Sequence, residues 1–483
     1  MMRISRGLAP ERVFHYFEEI SAIPRGSGNM EKIAQYCMDF AKKHSLKAIK
    51  DDADNVIIFK DGSCGGENAE PLILQGHLDM VCQKTADCEI DFLKDGLELY
   101  IDGDFLKAKG TTLGADNGIA VAMILSVLES DNIPHPPIEA VFTTDEEIGL
   151  IGAGKLDKSL LKSKRMINLD SEQISTVTVS CAGGSDFRAS MPFEREKAFG
   201  TKLTVLLNGL KGGHSGDKIN SGRVNSDILA GRVLNYLNSR CNLEVISVNG
   251  GDKGNAIPVC SELVLCTNEP ELLKAEAEKY INIIKEEIAF REPDFTFGII
   301  ASGAGEYEVL PEEVKERLIF ILTCIPNGVM EMSAEIKGLV ETSLNLGVLE
   351  TKADKIIFHS ALRSNKKTAL SYLEERLKVF YKNASCDIEA FGHYPPWEYN
   401  ANSKLVEVYK KCFSEQFGYE PEVKAIHAGL ECGVFADAIN GFDCISVGPE
   451  AYDIHTVNER LSISSTESTY KLLLKILEVA KNM

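Results

Sequence analysis

Apolar residues recur at helical spacing at the start of the chain and then bunch into short runs. From Pro10 to Ala22, Val13, Phe14, Phe17 and Ile20 fall on one face of a helix. Pro24 ends that helix, Arg25-Gly26-Ser27-Gly28 makes a turn, and Asn29 is placed to cap a second helix over Met30–His44. The short runs at Asn55–Phe59, Leu72–Leu74, Ile138–Phe142 and the start of Arg165–Asp170 have the pattern of strands covered on both faces. Ile119–Glu129 is apolar almost throughout, which predicts a helix buried on every side. Between Cys82 and Lys109 the chain turns polar and rich in Gly and Asp, as expected of a hairpin passing over the sheet.

From about Ser185 the pattern changes. Two alternating strands over Phe187–Leu207, a helix over Asn225–Asn238, two strands around Asn249–Ala256, a helix over Glu271–Phe290 and a strand over Phe295–Ile300 follow in turn. That order, β-α-β-β-α-β, is a split βαβ or ferredoxin-like module. A second set follows, with helices over Glu312–Thr323 and Lys366–Asn383 and strands near Glu341–Glu350, Lys355–Ala361 and Cys386–Phe391. Tyr394-Pro395-Pro396-Trp397 is a stiff break, after which strands and helices alternate as before. The predicted architecture is therefore α/β with two domains. Residues 1–184 and 396–483 form a mixed-sheet catalytic domain, interrupted by residues 185–395, an inserted lid or dimerisation domain made of two ferredoxin-like α+β halves.

Composition narrows the partners. The 483 residues carry 52 Lys+Arg against 72 Asp+Glu, a net charge of -20, which argues against nucleic acid or an anionic membrane as a partner. The N-terminal stretch has no apolar signal region, and no apolar run reaches the roughly 18 residues of a membrane span, so a cytoplasmic protein is expected. The 13 cysteines include no C-x-x-C pair, which argues against a disulfide framework or a structural zinc knuckle.

The chemistry gathers where apolar runs end in acids and histidines. His77 and Asp79 close the run that begins at Leu72, and residues two apart on a strand point the same way. His77 is thus a candidate metal ligand, with Asp79 fixing its ring. Asp116 stands at the entry to the buried helix, where helix capping is the plainer reading. Asp145-Glu146-Glu147 follows the Ile138 strand, Asp170 ends the next, and His455 lies in a loop after Gly448-Pro449. Two imidazoles and several carboxylates without a thiolate suit zinc or a similar divalent ion. The surplus of carboxylates suits two ions about 3.5–4 Å apart, clamping a hydroxide and polarising a carbonyl. Glu146 and Glu147 are adjacent and point differently, so one can ligate while the other acts as base. Gly26-Ser27-Gly28-Asn29 lacks the preceding strand and the following Gly-Lys of a phosphate loop.

Taken together, GHLDMV, LGADNGIA, TTDEEIGLIGA, NLDSE, GGHSG, GNAIP and the late His455 resemble the di-zinc metallopeptidases that include peptidase T, the carboxypeptidase G-like enzymes and the carnosinases. HAGLECGVF and the long insert favour the branch of bacterial aminoacyl-histidine dipeptidases. The resemblance implies one zinc on His77 and Asp170, a second on Glu147 and His455, and Asp116 bridging them; manganese or cobalt would fit the same ligands. It implies that Asp79 supports His77, that Glu146 is general base for a metal-bound hydroxide, and that His214 stabilises the oxyanion. It further implies that Asn255 and Arg363 hold the substrate. Glu431 has the charge to receive a substrate amino group, although an acid at a helix N-terminus explains it equally well. The implied activity is hydrolysis of small unblocked dipeptides, carnosine among them; the resemblance implies a homodimer through the lid, while a double-halved lid could also close its own site without a partner. A related amidohydrolase, such as an aminoacylase or tripeptidase, and a non-catalytic metal-binding scaffold are the alternatives.

Overall fold

A computed structural model describes residues 4–483. The chain divides into two compact units. The first comprises residues up to Cys181 together with Trp397–Ile426 and Leu430–Met483; the second comprises Ala182–Pro396 with His427–Gly429. Among the described residues no helix is long and apolar enough to cross a membrane.

The first unit is a mixed α/β structure on an eight-stranded sheet. Its order is Lys47–Lys50, Val56–Lys60, Ile138–Thr143, Leu72–His77, Arg165–Asn168, Asp443–Ser446, Thr176–Cys181 and Glu422–Ile426. Ile138–Thr143, Leu72–His77, Arg165–Asn168 and Asp443–Ser446 run parallel to one another. Leu72–His77 and Ile138–Thr143 are buried at every position, as their apolar runs require of strands covered on both faces. The helix Ala115–Glu129 supplies part of that cover and is itself buried along almost its whole length. Glu11–Ser21 buries Val13, Phe14, Phe17 and Ile20, the face its spacing predicts. Asn29, expected to cap the next helix, makes no such bond; Met30 holds the cap position of Glu31–Lys43.

The polar stretch after Cys82 does form a hairpin, Leu99–Asp102 with Phe105–Ala108. Phe105–Ala108 pairs with Arg460–Ser462, which in turn pairs with Ala451–Tyr452. The loop closed between those last two strands carries His455, so this small sheet sets where that distant histidine stands.

The second unit is built on a nine-stranded sheet, antiparallel throughout. On one side the order is Thr296–Val309, Glu196–Asn208, Ser261–Thr267, Glu244–Gly250; on the other it is Val340–Thr351, Lys355–Ser364, Gly183–Pro192, Asp387–Tyr394, with Gly328–Met332 also paired to Val340–Thr351. Helices Ser226–Asn238 and Pro270–Ile288 connect strands of the first set, Glu312–Cys324 leads from the first set to the second, and Lys367–Asn383 connects strands of the second. The strands expected around Asn249–Ala256 lie instead at Glu244–Gly250 and Ser261–Thr267. Residues 251–255 form a turn, after which Ala256–Ile257 pairs with Gly213–His214. His427–Gly429 also departs from the expected division. The His427 ring bonds Ser343 Oγ at 2.7 Å, and Ala182 N donates to Ala428 O, which ties these three residues to the inserted unit.

Candidate metal centre

Three neighbouring strands of the first unit deliver most of the site. Ile138–Thr143, Leu72–His77 and Arg165–Asn168 are parallel and adjacent, with His77 level with Thr143 and Gln75 level with Asn168. Their carboxyl ends therefore emerge together, the place where open α/β sheets put their ligands. His77 ends its strand, Glu146 and Glu147 follow Ile138–Thr143, and Asp170 follows Arg165–Asn168. Asn117 fastens the entry of the buried helix to two of these ends: its Oδ1 accepts from His77 N at 3.1 Å and its Nδ2 donates to Leu169 O at 2.8 Å.

Asp116 sits between the two histidines. Its Oδ1 is 3.1 Å from His77 Nε2 and its Oδ2 is 3.1 Å from His455 Nε2. Asp170 Oδ1 lies 3.5 Å from His77 Nε2, and Glu147 Oε2 lies 3.0 Å from His455 Nε2. Three ligand groups result, His77 with Asp116 and Asp170, Asp116 with Glu147 and His455, and His77 with Glu146 and Glu147, each with its ligand atoms within 4.8 Å of one another. His77 is buried while the His455 side chain is 46% exposed, so one end of the site is closed and the other faces solvent.

The electrostatics fit divalent cations. Burial, with the charges of Asp116 and Glu147 nearby, pushes Asp170 up to about 6 despite His77. Burial and the charges of Asp170, Glu431 and Glu147 hold Glu146 well above the usual carboxylate range. Four acids crowded into a desolvated pocket repel one another, and a cation among them would relieve that. The nitrogen and oxygen donors, with no thiolate, suit zinc and its neighbours.

Asp79 does more than was expected. His77 Nδ1 lies 3.4 Å from Asp79 Oδ1 and 3.1 Å from its backbone oxygen. The carboxylate also accepts from Glu146 N at 3.0 Å, Glu147 N at 3.2 Å and Ser27 Oγ at 2.8 Å. One side chain thus orients the histidine and pins the peptide of both glutamates. The turn at Arg25–Gly28 serves the same loop, since Gly28 N donates to Asp145 Oδ1 at 2.6 Å.

One expectation changes and one narrows. Asp116 does not cap its helix: Gly114 holds the cap position, and the Asp116 carboxylate turns to the imidazoles. Glu431, a candidate to receive a substrate amino group or to stand as an acid at a helix start, opens helix Glu431–Ala438. It is buried, with Oε2 accepting from Gln75 Nε2 at 2.5 Å and Thr143 Oγ1 at 2.7 Å, and burial pushes it up to about 7.

The remaining candidates belong to the second unit. Arg363 donates from Nη1 to Tyr394 Oη at 2.9 Å and from Nη2 to His214 Nε2 at 3.3 Å. With Nε2 accepting, the His214 proton sits on Nδ1, and burial and the Arg363 charge keep the ring below its ordinary pKa. Asn255 accepts at its backbone oxygen from Ser215 N at 2.9 Å, beside His214. Asn255 and Arg363 line one cavity of about 450 Å³ with Asp186, His359 and Tyr394.

Arg25 and Glu459, which sequence reasoning passed over, bond the backbone of Leu78 and Asp79 and of residues 113–116. Arg25 reads as a turn residue after Pro24, and the only signal for Glu459 is an acid four places after His455.

Residues 73–479 match the peptidase family M20/M25/M40. The chain is 36% identical over 477 residues to the cytosol non-specific dipeptidase of Escherichia coli, 98% of each chain being covered. The structure of aminoacylhistidine dipeptidase from Vibrio alginolyticus superposes with a TM-score of 0.91 at 35% identity, covering 98% of both chains. Aminopeptidase PepT from Bacillus cereus, at 16% identity and a TM-score of 0.57 over 98% of this chain and 99% of its own, shares the fold.

Proposed function

The chain belongs to peptidase family M20/M25/M40, and we propose on that footing that it is a dipeptidase. Its substrates on this reading are unblocked dipeptides, those ending in histidine such as carnosine among them. The observation that carries the reading is Asp116, whose two oxygens stand 3.1 Å from His77 and 3.1 Å from His455, as a carboxylate shared by two cations requires.

His77 and Asp170 would hold one divalent ion, Glu147 and His455 the other, and Asp116 both; zinc suits these donors, with manganese or cobalt as substitutes. When bound, the ions polarise the scissile carbonyl and make the attacking water more acidic. Glu146 takes the proton from that water and passes it to the leaving amine. Burial supports this role by raising its affinity for a proton. Asp79 keeps the His77 ring and the two glutamates in register. The inserted unit, two split βαβ halves in one sheet, is read as a lid, and pairing of two lids would form a homodimer. On that reading His214 donates through Nδ1 to the oxyanion, while Asn255 and Arg363 hold the substrate, Arg363 by its terminal carboxylate. Glu431 is left out of substrate contact because it is buried and its Oε2 is taken up by Gln75 and Thr143.

The test is release of amino acids by the zinc- or manganese-loaded protein from simple dipeptides, carnosine, tripeptides and N-acyl amino acids. Dipeptides are expected to turn over fastest, and a chelator should stop the reaction. Faster turnover of N-acyl amino acids would make the protein an aminoacylase. No dipeptide hydrolysis with either metal would end the proposal.

A further inference from the structure

Glu459 spends its whole carboxylate on backbone. Oε2 accepts from Leu113 N at 2.7 Å and Gly114 N at 2.9 Å; Oε1 accepts from Ala115 N at 2.8 Å and Asp116 N at 3.3 Å. These are the free N–H groups at the start of the buried helix, which no side chain of that helix caps. The residue is buried, at 3% exposure. Four donors from four successive peptides fix the course of the chain that leads into Asp116. Glu459 also lies four residues beyond His455, so the loop that brings the second histidine is bonded directly to the loop that brings the shared carboxylate.

Arg25 completes the arrangement from the other side. It is buried, and its guanidinium donates from Nη1 to Leu78 O at 3.0 Å and Asp79 O at 3.2 Å, and from Nη2 to Gly114 O. The first two carbonyls belong to the chain just past His77. Gly114 is therefore held at both ends, its N–H by Glu459 and its carbonyl region by Arg25, and the opposite charges attract across it. The two glycines of LGADNG fit this arrangement. A Cβ on Gly114 would come within 2.5 Å of Arg25 Nη2 and 2.6 Å of Met80 Sδ, and one on Gly118 within 2.5 Å of Arg25 Nη2. Gly114 also has a φ of +65°, which side chains resist.

We propose that Arg25 and Glu459 are positioning residues for the metal centre, a buried pair that sets Asp116 at a fixed place between His77 and His455. Neither touches a ligand side chain in order to do so; both act through the peptides on which the ligands stand. The inference rests on the metal-centre reading above and adds to it the groups that decide whether the shared carboxylate is in place before an ion arrives. Charge and shape both matter. A glutamine at 459 has one acceptor oxygen and turns an N–H₂ toward two backbone donors, and a lysine at 25 has a single centre where three carbonyls are spread.

The test compares the dialysed full-length protein with Glu459→Gln and Arg25→Lys. Bound ions are counted by elemental mass spectrometry, affinity for Zn²⁺ and Mn²⁺ is measured by calorimetry, and metal-free unfolding is followed by circular dichroism. Each variant is expected to keep the native spectrum and to lose roughly 10- to 100-fold in ion affinity, the usual effect of removing a group that supports a ligand. A lower unfolding temperature with unchanged affinity of the folded protein would overturn the proposal, because that is what a purely structural pair would give. If Glu459→Gln does not fold, Arg25→Lys decides by the same criterion. If neither folds, the pair belongs to the scaffold and the assignment is wrong. A wild-type protein that takes up no ion overturns the metal-centre reading itself; equal binding by wild type and variants overturns only the positioning role.

Discussion

In the unit with the eight-stranded sheet, bonds to Asp116 and Glu147 push His455 up to about 11. In the inserted unit, burial and the charge of Arg363 push His427 down to about 3. His77 and His214 follow their neighbours, the first raised by the surrounding acids against the effect of its burial, the second lowered. The same side chain is thus set up to sit among anionic ligands in one unit and to stay neutral beside a guanidinium in the other. The two sheets explain the difference. Parallel strands covered on both faces leave only their ends for polar groups, so acids and histidines concentrate at one desolvated edge. The antiparallel sheet alternates buried and less buried positions, as in Gly183–Pro192, and spreads its polar groups along its length. There, a single buried arginine sets the local field.

Three measurements bear on that contrast. The largest effect is expected from Glu146→Ala, which should lower kcat by roughly 100- to 10,000-fold, the contribution of a general base. Ion content should stay as in the wild type; loss of an ion with activity would make Glu146 a ligand and Glu147 the base. Next, Arg363→Met should raise KM for dipeptides by roughly 10- to 100-fold, the cost of about 1.5–3 kcal/mol for a charged hydrogen bond. It should also let the His427 and His214 pKa values rise, as followed by proton NMR, because a repelling cation has gone. An unmoved His427 would show that burial alone sets it. The smallest effect concerns acid stability. The unfolded imidazole takes a proton near 6.5, whereas the native His427 refuses one until about 3. Its contribution to stability is therefore complete above 6.5 and is lost as pH falls from there toward 3, by up to about tenfold in the unfolding constant per pH unit. His427→Gln should flatten that part of the urea-midpoint curve between pH 6.5 and 5.

Much of the fold was legible because burial writes itself into runs and periods. Ile138–Phe142 and Val13, Phe14, Phe17 and Ile20 stand where the pattern put them. Thr296–Val309 was read only as far as residue 300, since its second half, Ala301 to Glu306, is small, polar and exposed, and is held by pairing with Glu196–Asn208 rather than by burial. At the site, His77, Asp116, Glu147, Asp170 and His455 were legible because each breaks an apolar context or belongs to a recognisable motif, and the structure brings them together. Arg25 and Glu459 were not, because their partners are backbone atoms and no residue type elsewhere in the chain answers to them. Glu431 was legible as an acid at a helix start, where it stands, but its burial against Gln75 and Thr143 was not, because neither partner is near it in sequence.

The bonds of Glu459 span 343 to 346 residues of sequence. During synthesis Asp116 therefore leaves the ribosome hundreds of residues before the groups that hold it, and at roughly 5–20 residues per second that gap lasts on the order of twenty seconds to a minute. For most of that interval His77, Asp116, Glu146, Glu147 and Asp170 exist without His455 and without the carboxylate that bonds the helix start. A nascent chain carries an incomplete set of ligands, so the centre has to wait until the segment around His455 and Glu459 closes a loop of 343 to 346 residues.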